Sequence, residues 1–252
     1  ITGEYKSPSI SFAGITLTST NANGDAFIAN NISTSDVTPS ICMVTTDTIT
    51  ETTNIIYWSN TYPTASRYII HREVSTGVYK PIGSVVYDSL SMFIDTVRSI
   101  GPANGNPNIG TYRYKLQILD TAGTYSLLSP YHNTVYFVSN NNGTFTWNTY
   151  NVEGQSVTPV TQFDLLRDNL NTNTWVYVGS VAGTQTTLND PSYSTYSTTG
   201  NWCVSALGFN CTPTRSAIST SRSNIKGARL TGINTVQQNI NIVVYPNPLI
   251  VV

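Results

Sequence analysis

Histidine is scarce in this chain: His71 and His132 are the only two in 252 residues. Imidazole is the side chain whose ordinary pKa suits proton transfer near neutral pH, so histidine-based catalysis would have to be built on one of these. Neither stands in a His-Glu-x-x-His zinc motif, and no Gly-x-Ser-x-Gly nucleophile turn occurs. His71 lies in an apolar run and reads as a strand residue. His132 falls between two repeated segments and reads as a solvated linker residue. Cysteine pairs at zinc spacing are absent. Two carboxylates recur, Asp95 and Asp190, and paired carboxylates can do acid–base work. They occupy equivalent positions of two different repeats, so each is expected to form a turn in its own domain. The recurring Arg72 and Arg167 are expected along strands with solvated heads, placed to pair with those aspartates. The run Asp168-Asn169-Leu170-Asn171-Thr172-Asn173 offers oxygens to calcium without the spacing of an EF-hand loop, and reads as a polar hairpin turn. No catalytic, cofactor-binding or metal-binding residue is expected, and the chain is expected not to be an enzyme.

The elements that carry these residues form a repeat. Arg72, Gly83 and Asp95 mark one copy; Arg167, Gly179 and Asp190 mark the other, with 23 residues from Arg to Asp in both. The text between agrees, Tyr79-Lys80-Pro81-Ile82-Gly83-Ser84-Val85 against Val176-Tyr177-Val178-Gly179-Ser180-Val181. Trp58 and Trp147 precede the copies and are expected to be equivalent core anchors. Asp120, Ser126 and Ser129 close the first copy as Asn210, Ser216 and Ser219 close the second. A repeat of about ninety residues suits a β-sandwich domain rather than a solenoid unit.

Composition agrees. Only 10% of residues are charged and the net charge is -1, which gives no reason to expect nucleic acid. Sixteen tyrosines, with abundant Thr and Ser, favour strands over helices. No apolar run reaches membrane-spanning length, so the chain is not expected to span a membrane. With neither a starting Met nor a signal peptide, it is expected to be a processed or partial chain.

Residues 1–36 read as a strand-forming N-terminal segment with Ile10, Phe12, Ile15 and Leu17 alternating, and Asn23-Gly24 as a hairpin signal. Residues 37–133 and 134–222 read as the two sandwiches. Tyr112, Tyr114, Leu116 and Ile118 alternate with Arg113, Lys115 and Gln117 as a half-buried strand, so the tyrosines read as core. Trp202, Val204 and Ala206 lie on the matching strand, with Trp202 answering Tyr112. Residues 101–110 are expected as a surface loop. Residues 223–252 read as a linker followed by a strand-forming C-terminal segment. No helix of credible length is expected. Phe12, Leu17, Phe27 and Ile28, with Ile242, Val244, Leu249 and Val251, form apolar tails too short to fold alone; they are expected to pair as strands, either between molecules or folded back onto their own domains.

Cys203 and Cys211 are eight residues apart. If the chain turns at Leu207-Gly208 they face each other and can bond. If the strand runs straight through to Asn210, they are separated by roughly 26 Å and cannot. Cys42 is expected as a buried free thiol.

The repeat resembles the fibronectin type III superfamily in the Trp58 strand followed by Tyr68, and in Tyr112-x-Tyr114-x-Leu116-x-Ile118-x-Asp120-x-x-Gly123. It is similar to tandem modules of Bacteroidota secreted surface proteins in Pro39-Ser40-Ile41-Cys42-Met43-Val44, Gly77-Val78-Tyr79-Lys80-Pro81-Ile82-Gly83-Ser84, Tyr112-Arg113-Tyr114-Lys115 and Ser221-Arg222-Ser223-Asn224. Val244-Tyr245-Pro246-Asn247-Pro248 resembles the start of a type IX secretion sorting domain. Residues 1–30, with Ile15 to Ser19 and Asp25 to Ala29, resemble an SBBP-type β-propeller repeat. The resemblance implies an all-β fold, two tandem immunoglobulin/fibronectin type III-like sandwiches with strand-forming tails. It also implies an extracellular, cell-surface structural or adhesive protein, with a self-assembling filament subunit as one form of it. Its partners would be copies of itself, surface glycans or cell-surface proteins. The alternative is the stalk or accessory C-terminal region of a large secreted enzyme. Thr48, Ser89, Thr96 and Thr121 each follow Asp and precede an apolar residue, which resembles the O-glycosylation site of Bacteroidota secreted proteins.

Overall fold

A computed structural model describes the backbone of strands within residues 1–28, and residues 37–213 and 218–227. Four short strands come first: β1 (Thr2–Tyr5), β2 (Ser9–Phe12), β3 (Ile15–Thr18) and β4 (Asp25–Ile28). β1 pairs antiparallel with β4, and β2 with β3, so Phe12, Leu17, Phe27 and Ile28 all lie on strands paired within the chain. Ile242, Val244, Leu249 and Val251 lie outside the described residues.

The first sandwich comprises β5 (Ile41–Thr46), β6 (Asn54–Trp58), β7 (Ala65–Ser75), β8 (Val78–Val86), β9 (Met92–Asp95), β10 (Arg113–Asp120) and β11 (His132–Asn133). They form a three-stranded sheet β5-β6-β9 and a four-stranded sheet β11-β10-β7-β8, all antiparallel. The second sandwich comprises β12 (Phe137–Ser139), β13 (Thr144–Trp147), β14 (Gln162–Asp168), β15 (Trp175–Ala182), β16 (Thr187–Asn189), β17 (Asn201–Cys211), β18 (Ile218–Arg222) and β19 (Lys226–Gly227). Its sheets run β12-β13-β16 and β15-β14-β17-β18, with β19 also on β17. One four-residue helix, α1 (Tyr193–Tyr196), follows β16. The chain is thus all-β, two tandem sandwiches, because alternating apolar strands bury one face only when a second sheet covers it.

The alternation is plain in β10. Tyr114, Leu116 and Ile118 are buried, while Arg113, Lys115 and Gln117 turn outward. Trp58 ends β6 and packs on Tyr68 of the facing sheet at 5.3 Å between ring centroids; Trp147 ends β13 and packs on Phe163 at 5.5 Å. The repeated glycines share one packing role. Gly83 pairs with Ile70, and a Cβ there would stand 2.5 Å from the Phe93 ring. Gly179 pairs with Leu165, and its Cβ would stand 3.4 Å from Leu188.

One boundary and one alignment differ from the sequence reading. The second sandwich continues past 222: Ile225 is core, and β19 still pairs with Asn201–Trp202. Residues 223–227 are therefore sandwich rather than linker. Trp202 lies opposite Arg167 as Tyr114 lies opposite Arg72, so Trp202 answers Tyr114, not Tyr112. The closing serine also differs from the sequence reading, Ser223 rather than Ser219 answering Ser129: Ser129 Oγ accepts from Leu116 N at 2.8 Å, and Ser223 Oγ accepts from Val204 N at 3.0 Å.

Truncation of Trp58 or Trp147 to Ala removes a central ring between sheets. Each change should destabilise its own sandwich by about 3–5 kcal/mol, read as a loss of denaturant midpoint. An unchanged unfolding profile for either variant would contradict its place in the core.

Candidate functional site: two buried ion pairs and the seam between sandwiches

Arg72 sits on β7 pointing inward, and Asp95 closes β9 across the sandwich. Both are fully buried, and Arg72 Nη1 pairs directly with Asp95 Oδ2. Tyr114 Oη donates to the same carboxylate oxygen at 2.8 Å and accepts from Asn54 Nδ2 at 3.0 Å. The guanidinium also donates to the carbonyls of Val97, at 3.1 Å, and Ile100. Gly105 closes the shell with φ +70, and a Cβ on it would stand 2.0 Å from Arg72 Nη1. The stretch expected as a surface loop therefore dips onto the ion pair, and only glycine permits that approach.

The second sandwich repeats the pair with other coverings. Arg167 Nη1 donates to both Asp190 oxygens, at 2.8 and 2.6 Å, and Trp202 Nε1 donates to Oδ2 at 2.8 Å. The Tyr196 ring of α1 lies 4.1 Å from the guanidinium carbon. Burial pushes the Asp190 carboxyl upward, but hydrogen bonds from Trp202, Arg167 and Ser192 N outweigh it and leave its pKa below the usual value. In both copies the Asp also accepts from the backbone N two residues on, Val97 and Ser192, so each shapes a turn as well. The expectation of solvated arginine heads is corrected: both lie at the sandwich interior, because each finds a carboxylate there. Both pairs are buried, and the geometry suits holding the strand-to-strand connections.

Between the sandwiches lies a second constellation. β5 is the edge of its sheet, and its outward backbone groups are met by the other sandwich. Tyr150 Oη accepts from Val44 N at 2.9 Å, Ser221 Oγ donates to Val44 O at 2.7 Å, and Arg222 N donates to Thr45 Oγ1 at 2.8 Å. Met43, from the same strand, belongs to the second sandwich's core. Cys42 is joined to Cys211 by a disulfide, Cα to Cα 5.5 Å. This corrects the expectation of a free Cys42, and of the two alternatives left open for Cys203 and Cys211 it excludes the bond between them. β17 continues as one strand from Asn201 to Cys211, with an irregularity between Leu207 and Cys211, so the two cysteines stand far apart along it and Cys203 stays buried in the sheet.

His132 is part of this seam rather than a solvated linker residue. It is 7% exposed, and its Nδ1 lies 2.9 Å from Tyr150 Oη. That hydroxyl also accepts from Val44 N, so the imidazole and the edge of β5 meet at one side chain. Burial lowers the His132 pKa to about 4. His71 is buried on β7, 3.2 Å from Gln117 Oε1, and burial lowers its pKa as well. The two histidines serve different places and meet no common partner. Asp168 accepts from Thr172 N at 3.0 Å and Asn173 N at 2.8 Å, closing the polar hairpin turn. Among the described residues no cluster of three His, Cys, Asp or Glu could hold a metal ion. Thr48, Ser89, Thr96 and Thr121 are all exposed outside strands.

No protein family and no curated protein matches this sequence. Among solved structures it is similar to a two fibronectin type III domain segment from chicken tenascin. The identity is 14%, covering 75% of this chain and 97% of that chain, with a TM-score of 0.25. The fold is a tandem of fibronectin type III-like β-sandwiches. That assignment rests on the sheet order, three strands facing four or five, in both halves. Among the described residues no helix is long and apolar enough to cross a membrane.

The seam makes stability depend on pH in a defined window. The unfolded chain protonates His132 near 6.5, whereas the folded chain resists until about 4. Between those values only the unfolded state binds the proton, so stability falls as pH drops, by roughly 3 kcal/mol in all. His71, whose pKa burial also lowers from 6.5, adds a loss of the same sign in this window, whereas Asp47 and Asp190, whose lowered pKa values start from 3.8, act only below it. Denaturant unfolding at pH 7 and pH 4.5 should show the loss in the native chain and a smaller one in His132→Gln. Equal losses in the two proteins would contradict the assignment.

Proposed function

We propose that the chain is a non-catalytic structural or adhesive element of an extracellular bacterial surface protein. The observation that supports this most is the disulfide joining Cys42 to Cys211 across 169 residues. Such bonds persist in oxidising compartments outside the cytosol. Both strongly held carboxylates are neutralised inside the sandwiches, which leaves them unsuited to acid–base work. The secretion route suggested by Val244 to Pro248, the Bacteroidota setting and attachment to the cell surface belong to this proposal. So does O-linked sugar at Thr48, Ser89, Thr96 or Thr121, which would solubilise a surface with few charges.

A second reading, a filament subunit joined by its terminal strands, draws support from the N-terminal segment. β1–β4 and β2–β3 are two-stranded ribbons, and such ribbons are marginal in water without a further strand or sheet to cover them. A role as stalk or accessory region of a secreted enzyme fits the same architecture.

Mass spectrometry on protein from its native source tests the reading. After denaturation without reduction, one cysteine, Cys203, should alkylate, and the intact mass should exceed that of the sequence by attached sugar. Three alkylated cysteines together with an unmodified mass would contradict an extracellular glycoprotein.

A further inference from the structure

The outer face of the β8–β7–β10 sheet divides into halves of opposite character. Toward one end its charges are matched: Arg113 Nη1 lies 3.3 Å from Glu73, and Lys115 Nζ lies 2.6 Å from Glu153. Lys115 also covers the Tyr79 ring at 4.8 Å. Toward the other end stands Arg67, exposed, and in none of the ion pairs found among the described residues. Its guanidinium reaches Ser84 Oγ at 3.4 Å.

Strand alternation sets Arg67, Ile69 and His71 side by side on this face. Ile69 pairs with Ser84 on one side and Gln117 on the other. A bulge between Ile70 and His71 breaks the register beside them, a device that re-aims side chains near binding sites. The bridge from Leu119 to Tyr125 brings in an aromatic ring that is 54% exposed. Together these residues line a shallow depression of about 370 Å³, a volume at the small end of ligand sites. Its floor is not loose. His71, 9% exposed, holds Gln117 Oε1, and Gln117 Nε2 donates to Ser126 O at 2.9 Å.

We propose that this depression binds an acidic sugar unit, a hexuronic acid in chemical class, through its carboxylate on Arg67. This rests on the adhesive reading above. One uncompensated guanidinium matches one carboxylate, and its planar fork suits that group. The Ser84 hydroxyl and the Gln117 Oε1 lone pair are spaced to meet ring hydroxyls. Ile69 and the Tyr125 ring offer apolar surface to the C–H face of a pyranose. A phosphate would call for more positive charge, and an apolar ligand would leave these polar groups unmet.

The experiment is an amide-shift titration of the isotopically labelled chain with glucuronic acid, and with glucose as its neutral counterpart. Glucuronic acid should shift the amides of Ile69, Ser84 and Gln117, and glucose should do so at least about tenfold more weakly. Arg67→Ala should weaken glucuronic acid binding by about tenfold or more, the size of a lost charge-assisted bond. Its melting temperature should not change, and Arg67→Lys should fall between. Equal shifts from both sugars, or binding that survives Arg67→Ala, would overturn the proposal. No shift with either sugar would also overturn it, while leaving the extracellular structural reading to the mass and thiol measurement.

Discussion

An edge strand has backbone donors and acceptors with no strand to meet them, and β5 resolves this by borrowing from the second sandwich. Tyr150 caps the Val44 N–H and Ser221 caps its carbonyl. An uncapped edge would be a template for unwanted pairing. Met43 leaves the first sandwich's core for the second, and Cys42 is bonded to the last residue of β17. The first sandwich is thus finished by its neighbour.

Inside each sandwich the governing element is the arginine–aspartate pair. Its burial is tolerable because the carboxylate in each copy meets donors besides the arginine: Tyr114, itself held by Asn54, in one copy, and Trp202 in the other, where the Tyr196 ring also covers the guanidinium. Removing one partner of such a pair typically costs about 3–5 kcal/mol, since the other charge is left stranded. That asymmetry explains how two domains with different coverings keep the same pair. The connection after Asp95 lays Gly105 on the guanidinium, whereas the connection after Asp190 lays α1 there.

Much of this was legible in the sequence. The constant Arg-to-Asp spacing reflects a fixed path through β7–β9 and β14–β16, and the alternation of β10 gave away a half-buried strand. The donor to the aspartate was not legible, because its distance along the chain differs, 19 residues for Tyr114 and 12 for Trp202. That unequal connection displaced the alignment of the closing strands by two residues. The seam left no trace in local pattern either. Cys42 and Cys211 stand in segments that no periodicity links, and the shorter separation of Cys203 and Cys211 was misleading. A straight strand keeps near neighbours in sequence apart, whereas packing brings distant edges together.

The central claim is that the seam makes the two sandwiches one rigid body. Backbone ¹⁵N relaxation of residues 37–227 tests it directly, by comparing rotational diffusion fitted separately to each sandwich. The account predicts a single diffusion tensor for both, with the Val44 amide as ordered as the sheet interiors. Two independent tensors, or a Val44 amide that exchanges like an open strand edge, would contradict it.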